Sequence, residues 1–468
     1  MAAEAKKLAL RETPIPGLLV LDLPVHADER GWFRESWQRQ KMLEVGLPDF
    51  GPVQNNVSYN VSTGTTRGIH AEPWDKLVSV VTGSVFGAWV DLREGPSFGT
   101  VFTTLIDPSV SVFVPRGVGN SYQSLEENTS YSYLVNDHWS AEAGAEYTFV
   151  NLGDPALGIE WPIPLDEAII SAKDAAHPVL DDVVPMRPRR TLVVGANGQL
   201  GRALRTVVPE AEFADRTELD ICEPNLATAR RWRDYEVIIN AAAYTKVDVA
   251  ESEEGRKQAW RVNVSAVAAL TRVAHENNIT LVHISSDYVF DGTNLESDEL
   301  APVSPLGVYG ATKAAGDAIV SVLPRHYILR SSWVIGDGAN FVRTMADLAA
   351  RGVDPAVVDD QIGRLTFASE IGRAIRHLLD VGAPYGTYNV TSGGRPLSWA
   401  EVARRVFELT GHDPRRVTGV STAEYFAGKP DAAPRPLNSV LSLERIRQTG
   451  FEPADLDVAL DEYVERLA

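Results

Sequence analysis

The run Thr191-Leu-Val-Val-Gly195-Ala-Asn-Gly198-Gln-Leu-Gly201 constrains the fold more than any other segment of this chain. A short strand-forming stretch breaks into glycines, and apolar residues then recur with helical spacing from Gln199 to Val207. A strand that turns through glycine directly into a helix is the first unit of a parallel sheet, because parallel neighbours need a crossover. Gly195 suits the tight turn, Gly198 lets backbone approach a pyrophosphate, and Gly201 lets the helix pack on its strand. The dinucleotide contacts expected here are Gly195, Asn197, Gly198, Gln199, Leu200 and Gly201, with N–H groups aimed at phosphate. Alone, such a loop reads equally well as turn chemistry. It is followed by Glu236-Val-Ile-Ile-Asn240-Ala-Ala-Ala243, a buried strand ending in small residues. Ala241, Ala242 and Ala243 leave room for a cofactor across the sheet edge.

Leu281-Val-His-Ile-Ser285-Ser286-Asp287-Tyr288-Val-Phe290 reads as another buried strand, delivering hydroxyls to the same edge. Downstream, Tyr309 and Lys313 stand one helical turn apart and share a face. Either alone reads as a solvated helix surface. With Ser286 they predict one chemistry: the lysine cation lowers the tyrosine pKa, the tyrosine protonates a carbonyl oxygen, and the serine hydroxyl holds that oxygen as hydride arrives. The second strand of such a fold ends near Glu212-Phe-Ala-Asp215-Arg216. An acid there suits a free ribose hydroxyl and an arginine a phosphate, so NADPH and NADH both stay open, with Arg216 favouring NADPH.

From about Arg190 to Ala468 the chain resembles the extended short-chain dehydrogenase/reductase family, in its dTDP-4-dehydrorhamnose reductase branch. The matching stretches include Gly195 to Gly201, Asn240-Ala-Ala-Ala-Tyr244-Thr245, Ser285-Ser286-Asp287-Tyr288, Tyr309-Gly-Ala-Thr-Lys313, Arg330-Ser-Ser-Trp333, Asp360-Gln361 and Arg435-Pro-Leu-Asn438. The family usually has threonine where Ser286 stands, which keeps the hydroxyl. The resemblance implies a doubly wound Rossmann sheet with a small C-terminal substrate-binding subdomain. It also implies catalysis by Ser286, Tyr309 and Lys313, and substrate contacts from Thr245, Tyr288, Trp333 and Arg435. Asp220 and Ile221 match the family's adenine-side contact, and a solvated loop is the alternative there. Mg2+ stays open for this half, with no ligand set in the sequence to support it.

The first half reads differently. Lys76-Leu-Val-Ser-Val-Val-Thr, Ser84 to Asp91, Thr100 to Ile106, Val110 to Pro115 and Ser130 to Val135 are short apolar or alternating runs between closely spaced turns. That pattern predicts an antiparallel all-β jelly roll with few helices. Its chemical signal is Thr66-Arg67-Gly68-Ile69-His70, followed by Lys76. Metal-binding jelly rolls place a second histidine two residues on, but Glu72 stands there, and His138 lies beyond its apolar run. No metal is expected, and a functional His70 acts as an acid/base.

From about Pro14 to Leu180 this half resembles the dTDP-4-dehydrorhamnose 3,5-epimerase family of the cupin superfamily. The resemblance rests on Asp28-Glu-Arg30-Gly-Trp-Phe-Arg-Glu35, Gln54-Asn-Asn56, Arg67-Gly-Ile-His70, Lys76, Tyr133, Asp154 to Pro162 and Ser171-Ala-Lys-Asp174. It implies that His70, oriented by Asp174, removes a proton beside a sugar ketone while Tyr133 returns one from the opposite face. Lys76 would steady enolate charge, Arg30 and Arg67 would meet nucleotide phosphates, and Glu35, Gln54, Asn56 and Asn120 would complete the substrate contacts. Where the family has histidine, this chain has Asn120, which keeps hydrogen bonding without charge. Family members are typically dimers, so a homodimer through the jelly roll is expected.

Between the halves, Asp181-Asp-Val-Val-Pro185-Met-Arg-Pro188-Arg-Arg190 has the composition of a linker. The expected domains are 1–185 and 186–468, which suits a chain of 468 residues. The net charge of −19 argues against nucleic acid or an anionic membrane as partner, because phosphate backbones need clustered cations. The opening residues lack the apolar run of a signal peptide, no stretch reaches transmembrane length, and the lone Cys222 reads as a packing residue in a reducing, cytoplasmic setting. Because the product of the first family is the substrate of the second, the sequence predicts a bifunctional enzyme. It would take dTDP-4-dehydro-6-deoxy-glucose to dTDP-rhamnose, the fusion raising the local concentration of the next site. The alternatives are a different nucleotide-linked deoxysugar, a reductase with a non-catalytic jelly roll, and a nucleotide-binding regulatory subunit.

Overall fold

The computed structural model describes residues 6–429 and 431–467; Met1 to Ala5, part of the segment read as lacking a leader, lie outside them. Its contacts divide the chain into two units, Met1–Pro188 and Arg189–Ala468.

The first unit is built from two antiparallel sheets. One runs in the order Ala9–Glu12, Leu19–Asp22, Val110–Val114, Lys76–Thr82, Thr129–Val135, Gln54–Asn60. The other runs Thr148–Phe149, Thr66–Ala71, Val118–Ser124, Val85–Asp91, Val101–Ile106. Strand alternation explains why they stack. Val78, Val80 and Val112 of the first sheet and Val85, Trp89 and Tyr122 of the second turn their side chains into one buried cluster. The opposite face of the first sheet, with Leu77 and Phe113, is covered by the helix Arg39–Glu44 through Met42. Lys76–Thr82 is therefore buried on both sides, as its nearly continuous apolar sequence requires. Strand Gln54–Asn60 is an edge and leaves Val57 and Tyr59 exposed.

The second unit has a six-stranded parallel sheet, ordered Glu212–Ala214, Arg190–Val194, Tyr235–Asn240, Thr280–Ser286, His326–Ser331, Gly386–Asn389. Successive residues face opposite helical layers. Leu192, Ile238, Leu281 and Ile328 pack with Leu270 and Val320 from the helices Ala266–Glu276 and Val308–Val320. Val193, Ile239, Val282 and Leu329 pack with Leu204 and Ile375 from Gln199–Val207 and Ala368–Asp380. A third cluster joins the helices Phe341–Ala350, Trp399–Leu409 and Leu456–Glu465 into a smaller subdomain.

The strand order reverses at Arg190–Val194, whose neighbours are the next strand on one side and the one after on the other. Such a reversal opens a crevice at the carboxyl ends of the two central strands. Among the described residues no helix is long and apolar enough to cross a membrane.

Candidate active sites

The glycine loop sits at that crevice. Gly195 has φ +80°, and a β-carbon on it would stand 2.6 Å from Ala242 N, so only glycine lets the two loop tips meet. Gly201 is equally confined, but by the loop: its missing β-carbon would lie 2.4 Å from Gly195 O. Gly198 turns its own N–H inward to Gly195 O at 3.0 Å. The first turn of Gln199–Val207 follows, where orphan N–H groups and the helix dipole favour an anion.

Gly195, Asn197, Gly198, Arg216, Asp220, Ile221 and Ala241 to Ala243 all line one cavity of about 440 Å³. Two expected contacts direct their side chains elsewhere. Leu200 belongs to the apolar core, and the Gln199 amide donates to Ala339 O at 3.1 Å, so backbone is what they bring to the loop. In the cavity wall Asp215 accepts from the Thr217 hydroxyl and N–H, which chiefly hold its carboxyl below the usual range, and from Asn197 Nδ2 at 2.8 Å. Arg216 is largely exposed and pairs with Asp220 at 3.1 Å.

Of the catalytic candidates, Ser286 and Tyr309 meet at a hydrogen bond. Ser286 ends its strand, and its hydroxyl donates to Asp287 Oδ1 at 2.9 Å. Tyr309 and Lys313 lie on the helix Val308–Val320, which starts at Gly307, a residue with no side chain to cap it. Glu251 supplies the cap, accepting the Val308 N–H at 2.8 Å. Asn263, buried in a π-helical turn, accepts from Tyr244 N at 2.8 Å and donates to Tyr244 O and to Thr312 Oγ1. It ties the alanine loop of the cavity to the helix of Tyr309.

The electrostatics correct one expectation. The lysine does not lower Tyr309: burial first, and then the Asp287 charge, push its phenol up to about 12, against a hydrogen bond with Ser286. Lys313 instead donates to Ile284 O at 2.5 Å and stands 3.4 Å from His283 Nε2. Burial pushes it down to about 8, with Asp317 pulling the other way. Asn240 Oδ1 accepts the Ala242 N–H, so its amide nitrogen faces His283 Nδ1 at 3.2 Å and the ring hydrogen falls on Nε2. Burial, then the lysine charge, keep this ring neutral.

Asp287 is fully buried and pushed up to about 6 from 3.8, chiefly by desolvation. The folded state therefore holds this proton more tightly than the unfolded chain does. Its contribution to stability is complete below about pH 4 and lost as pH rises through about 6. Asp287→Asn is expected to stabilise the second unit by about 1–3 kcal/mol at pH 7.5 and to match wild type below pH ~4. Denaturation at pH 4, 6 and 7.5 checks the convergence.

Tyr288 packs edge-on against Tyr309, with ring centroids 5.5 Å apart, and lines a second cavity of about 540 Å³. Arg435 lines it too, paired with Asp248 at 2.8 Å and 4.7 Å over Phe426. Trp333 stacks at 3.7 Å on Trp399, which forms part of the wall, so it backs the cavity. Thr245 is exposed and lines neither cavity. Trp399, Phe426 and Lys429, also in this wall, are not marked in the sequence, because Trp399 lies on a helix far along the chain from the Phe426 to Lys429 segment and neither stretch carries a motif.

In the first unit, His70 Nε2 meets Asp174 Oδ1 at 3.0 Å across 104 residues of sequence. Asp174 Oδ2 accepts the Gly68 N–H at 3.3 Å, and Ser171 Oγ accepts the Asp174 N–H at 3.0 Å, so the carboxylate is held at both ends. Burial raises this carboxyl, but the His70 contacts outweigh it and hold it below the usual range. Gly68 has φ +124°, and a β-carbon there would lie 2.4 Å from Ser121 Cβ. Gly68→Ala is therefore expected to push this strand off its neighbour, lower the melting temperature of the first unit by several degrees and weaken the His70 to Asp174 contact.

Asn120 pairs in register with His70 on the adjacent strand, and its Oδ1 accepts from Tyr131 OH at 3.0 Å. Tyr133 is pushed up to about 12 by burial and then by Glu72. Lys76 is buried, bonded to Glu72 at 2.9 Å, with its ammonium 5.9 Å from the Tyr133 ring centre. Glu72, the residue that broke the metal spacing, is thus the counter-ion of Lys76. Arg67 donates to Asn60 Oδ1 at 3.1 Å, and Gln54 donates to Asn56 at 2.9 Å on the exposed edge strand.

Arg30 and Glu35 are not brought to this group. Arg30 projects from the hairpin of His26–Asp28 and Gly31–Phe33 and pairs with Asp28, while Glu35 pairs with Lys41 at 2.7 Å. The residue missed here is His177, whose Nε2 lies 3.9 Å from Asp174 Oδ1. Its place three residues after Asp174 was the available signal.

Comparison with known proteins follows the same division. Residues 189–468 match the family described as RmlD substrate binding domain, and residues 12–182 match the dTDP-4-dehydrorhamnose 3,5-epimerase family. The first part is 53% identical over 190 residues to "Protein RmlC homolog" of Streptococcus pyogenes serotype M6, covering 39% of this chain and 95% of that protein. The second is 38% identical over 293 residues to a dTDP-4-dehydrorhamnose reductase of Aggregatibacter actinomycetemcomitans, covering 58% of this chain and 97% of the relative. A solved dTDP-4-dehydrorhamnose reductase from Bacillus anthracis in complex with NADP is 32% identical, with a TM-score of 0.55, and the match covers 60% of this chain and 99% of that one. The chain belongs to both families, to the dTDP-4-dehydrorhamnose 3,5-epimerases through its first unit and to the RmlD substrate binding domain family through its second.

Proposed function

We propose that this chain carries out two successive steps of dTDP-L-rhamnose biosynthesis: 3,5-epimerisation of dTDP-4-dehydro-6-deoxy-D-glucose, then reduction of the 4-ketone with NADPH. The observation that carries the reading is that each family match brings its own group of reacting side chains, His70 with Asp174 in one unit and Ser286, Tyr309 and Lys313 in the other. The first unit is then a cupin-type jelly roll and the second a Rossmann fold with a C-terminal substrate subdomain.

In the first unit His70 removes the proton from each carbon flanking the ketone, and Asp174 fixes the ring and stabilises the imidazolium. Tyr133, protonated at neutral pH, gives a proton back from the other face. Lys76 sits close to that hydroxyl's ring and stabilises enolate charge, its buried cation balanced by Glu72. Arg67, Gln54, Asn56 and Asn120 serve as substrate contacts. Arg30 on its exposed hairpin and the exposed Glu35 that follows it fit a role toward a second copy. Val57 and Tyr59 on the open edge strand support a homodimer through this unit.

In the second unit the cradle of about 440 Å³, its glycine loop and the exposed Arg216 at its rim suit a phosphorylated dinucleotide. NADPH, when bound, supplies the hydride. Tyr309 keeps its proton until the ketone oxygen gains charge and then donates it, while Ser286 orients that oxygen. Lys313, one helical turn from Tyr309 and bonded to Ile284 O, adds its positive charge to this end of the site. Tyr288, Trp333 and Arg435 shape the sugar-nucleotide side.

The test supplies the full chain with dTDP-4-dehydro-6-deoxy-glucose and NADPH in deuterated water and reads the product by NMR. The reading expects rhamnose carrying deuterium at both carbons beside the former ketone. Reduction without label would remove the epimerase, and no turnover would point to another deoxysugar.

A further inference from the structure

His177 is out of place in a simple acid/base pair. Its side chain is 6% exposed, neither ring nitrogen makes a hydrogen bond in the structure, and its Nε2 faces the same Asp174 oxygen that bonds His70. A buried imidazole held only by a 3.9 Å ion-pair contact and a weak Gly68 backbone interaction is under-satisfied, which costs free energy. Burial, and then the neighbouring His70, hold it toward its neutral form, the form in which an imidazole binds a metal.

The surroundings fix the three groups. Phe149 stacks on His177 at 4.6 Å and meets His70 edge-on at 5.5 Å, so one ring locks both imidazoles. Asp174 Oδ2 is spent on Gly68 N–H, leaving Oδ1 between the two rings, 3.0 Å from His70 and 3.9 Å from His177. The three ligand atoms lie within 4.8 Å of one another. Tetrahedral Zn2+ with bonds near 2.0–2.1 Å separates its ligands by about 3.4 Å, so small ring movements suffice. His70 remains 31% exposed, which leaves an entry path and a fourth position open to solvent.

We propose that His70, Asp174 and His177 form a three-ligand site for a divalent cation of the Zn2+ type, and that filling it stops proton transfer by His70. Two imidazoles and one carboxylate make a donor set suited to zinc rather than to magnesium, which prefers oxygen. Nε2 carries the ring hydrogen that Asp174 accepts, so a cation bound there displaces that hydrogen to Nδ1, the nitrogen left to take the substrate's proton. The inhibitory half rests on His70 being the epimerase base, whereas the metal site itself does not.

The test titrates the full-length chain with CoCl2 and reads the visible d–d bands of tetrahedral cobalt. Wild type is expected to bind one ion per chain that Zn2+ displaces, and His177→Gln and His177→Ala to lose the bands while keeping the wild-type circular dichroism. Equal binding by wild type and both variants, or no bands in wild type, would overturn the site. Deuterium incorporation into the sugar is then followed with added ZnCl2. Zinc is expected to inhibit, and His177→Gln to raise the half-inhibiting concentration by about tenfold or more. Bound cobalt displaced by zinc without any inhibition would keep the site and overturn His70 as the base.

Discussion

Tyr309→Phe is expected to lower the rate of ketone reduction by about 10²–10⁴-fold, while NADPH binding, followed by its fluorescence, stays unchanged. The loss corresponds to about 3–5 kcal/mol of transition-state stabilisation. It is large because no neighbour can substitute. Ser286 has its hydroxyl directed to Asp287, and Lys313 points to Ile284 O and His283. Burial holds the phenol at about 12, so the acid is present throughout the physiological range. Lys313, pushed down to about 8, is the group that titrates. It is charged below that pH and neutral above it, so kcat/KM for reduction is expected to fall as pH rises through about 8. Lys313→Met should lower the rate and remove that alkaline limb. A flat profile in the wild type to pH 9.5 would show that lysine charge is not needed.

His70→Ala is expected to lower deuterium incorporation at both carbons by about 10²–10⁴-fold, again read by NMR. Reduction of substrate that has already been epimerised should proceed at the wild-type rate, because Ser286, Tyr309 and Lys313 belong to another folding unit. Loss of both activities would instead indicate misfolding. Asp174→Asn should also slow epimerisation, since its amide can offer the imidazole a donor where the carboxylate offers only acceptors. The two variants thus separate the base from the group that orients it.

What could be read from sequence was what local spacing determines. The helix over Gln199–Val207 follows from its glycine entry and apolar period, and Lys76–Thr82 from a β-branched run too apolar to face water. Tyr309 and Lys313 could be paired because a helix places residues four apart on one face. His70 and Asp174, separated by 104 positions, could be joined only through family resemblance. His177 escaped because its significance depends on how a coil segment folds back over the strand Thr66–Ala71. The direction of Tyr309's shift was likewise hidden. Desolvation depends on which elements close over a group, and the sequence shows the lysine's charge but not its orientation toward Ile284 and His283. Arg30 and Glu35 carry family signatures, but within one chain Arg30 sits at an exposed hairpin turn and Glu35 is taken by Lys41.

Asn263 works as a bracket, and this limits how the reductase unit can be redesigned. Its side chain bonds both main-chain atoms of Tyr244 and the hydroxyl of Thr312, so the wall of the cofactor cavity and the helix of Tyr309 move as one piece. The rim at Asp215 and Arg216 has no such tie to that helix among these bonds. Under the proposed function, changing NADPH to NADH preference at the rim should therefore be separable from turnover, whereas widening the Ala241 to Ala243 loop for a bulkier cofactor analogue would drag Tyr309, the proposed proton donor, with it.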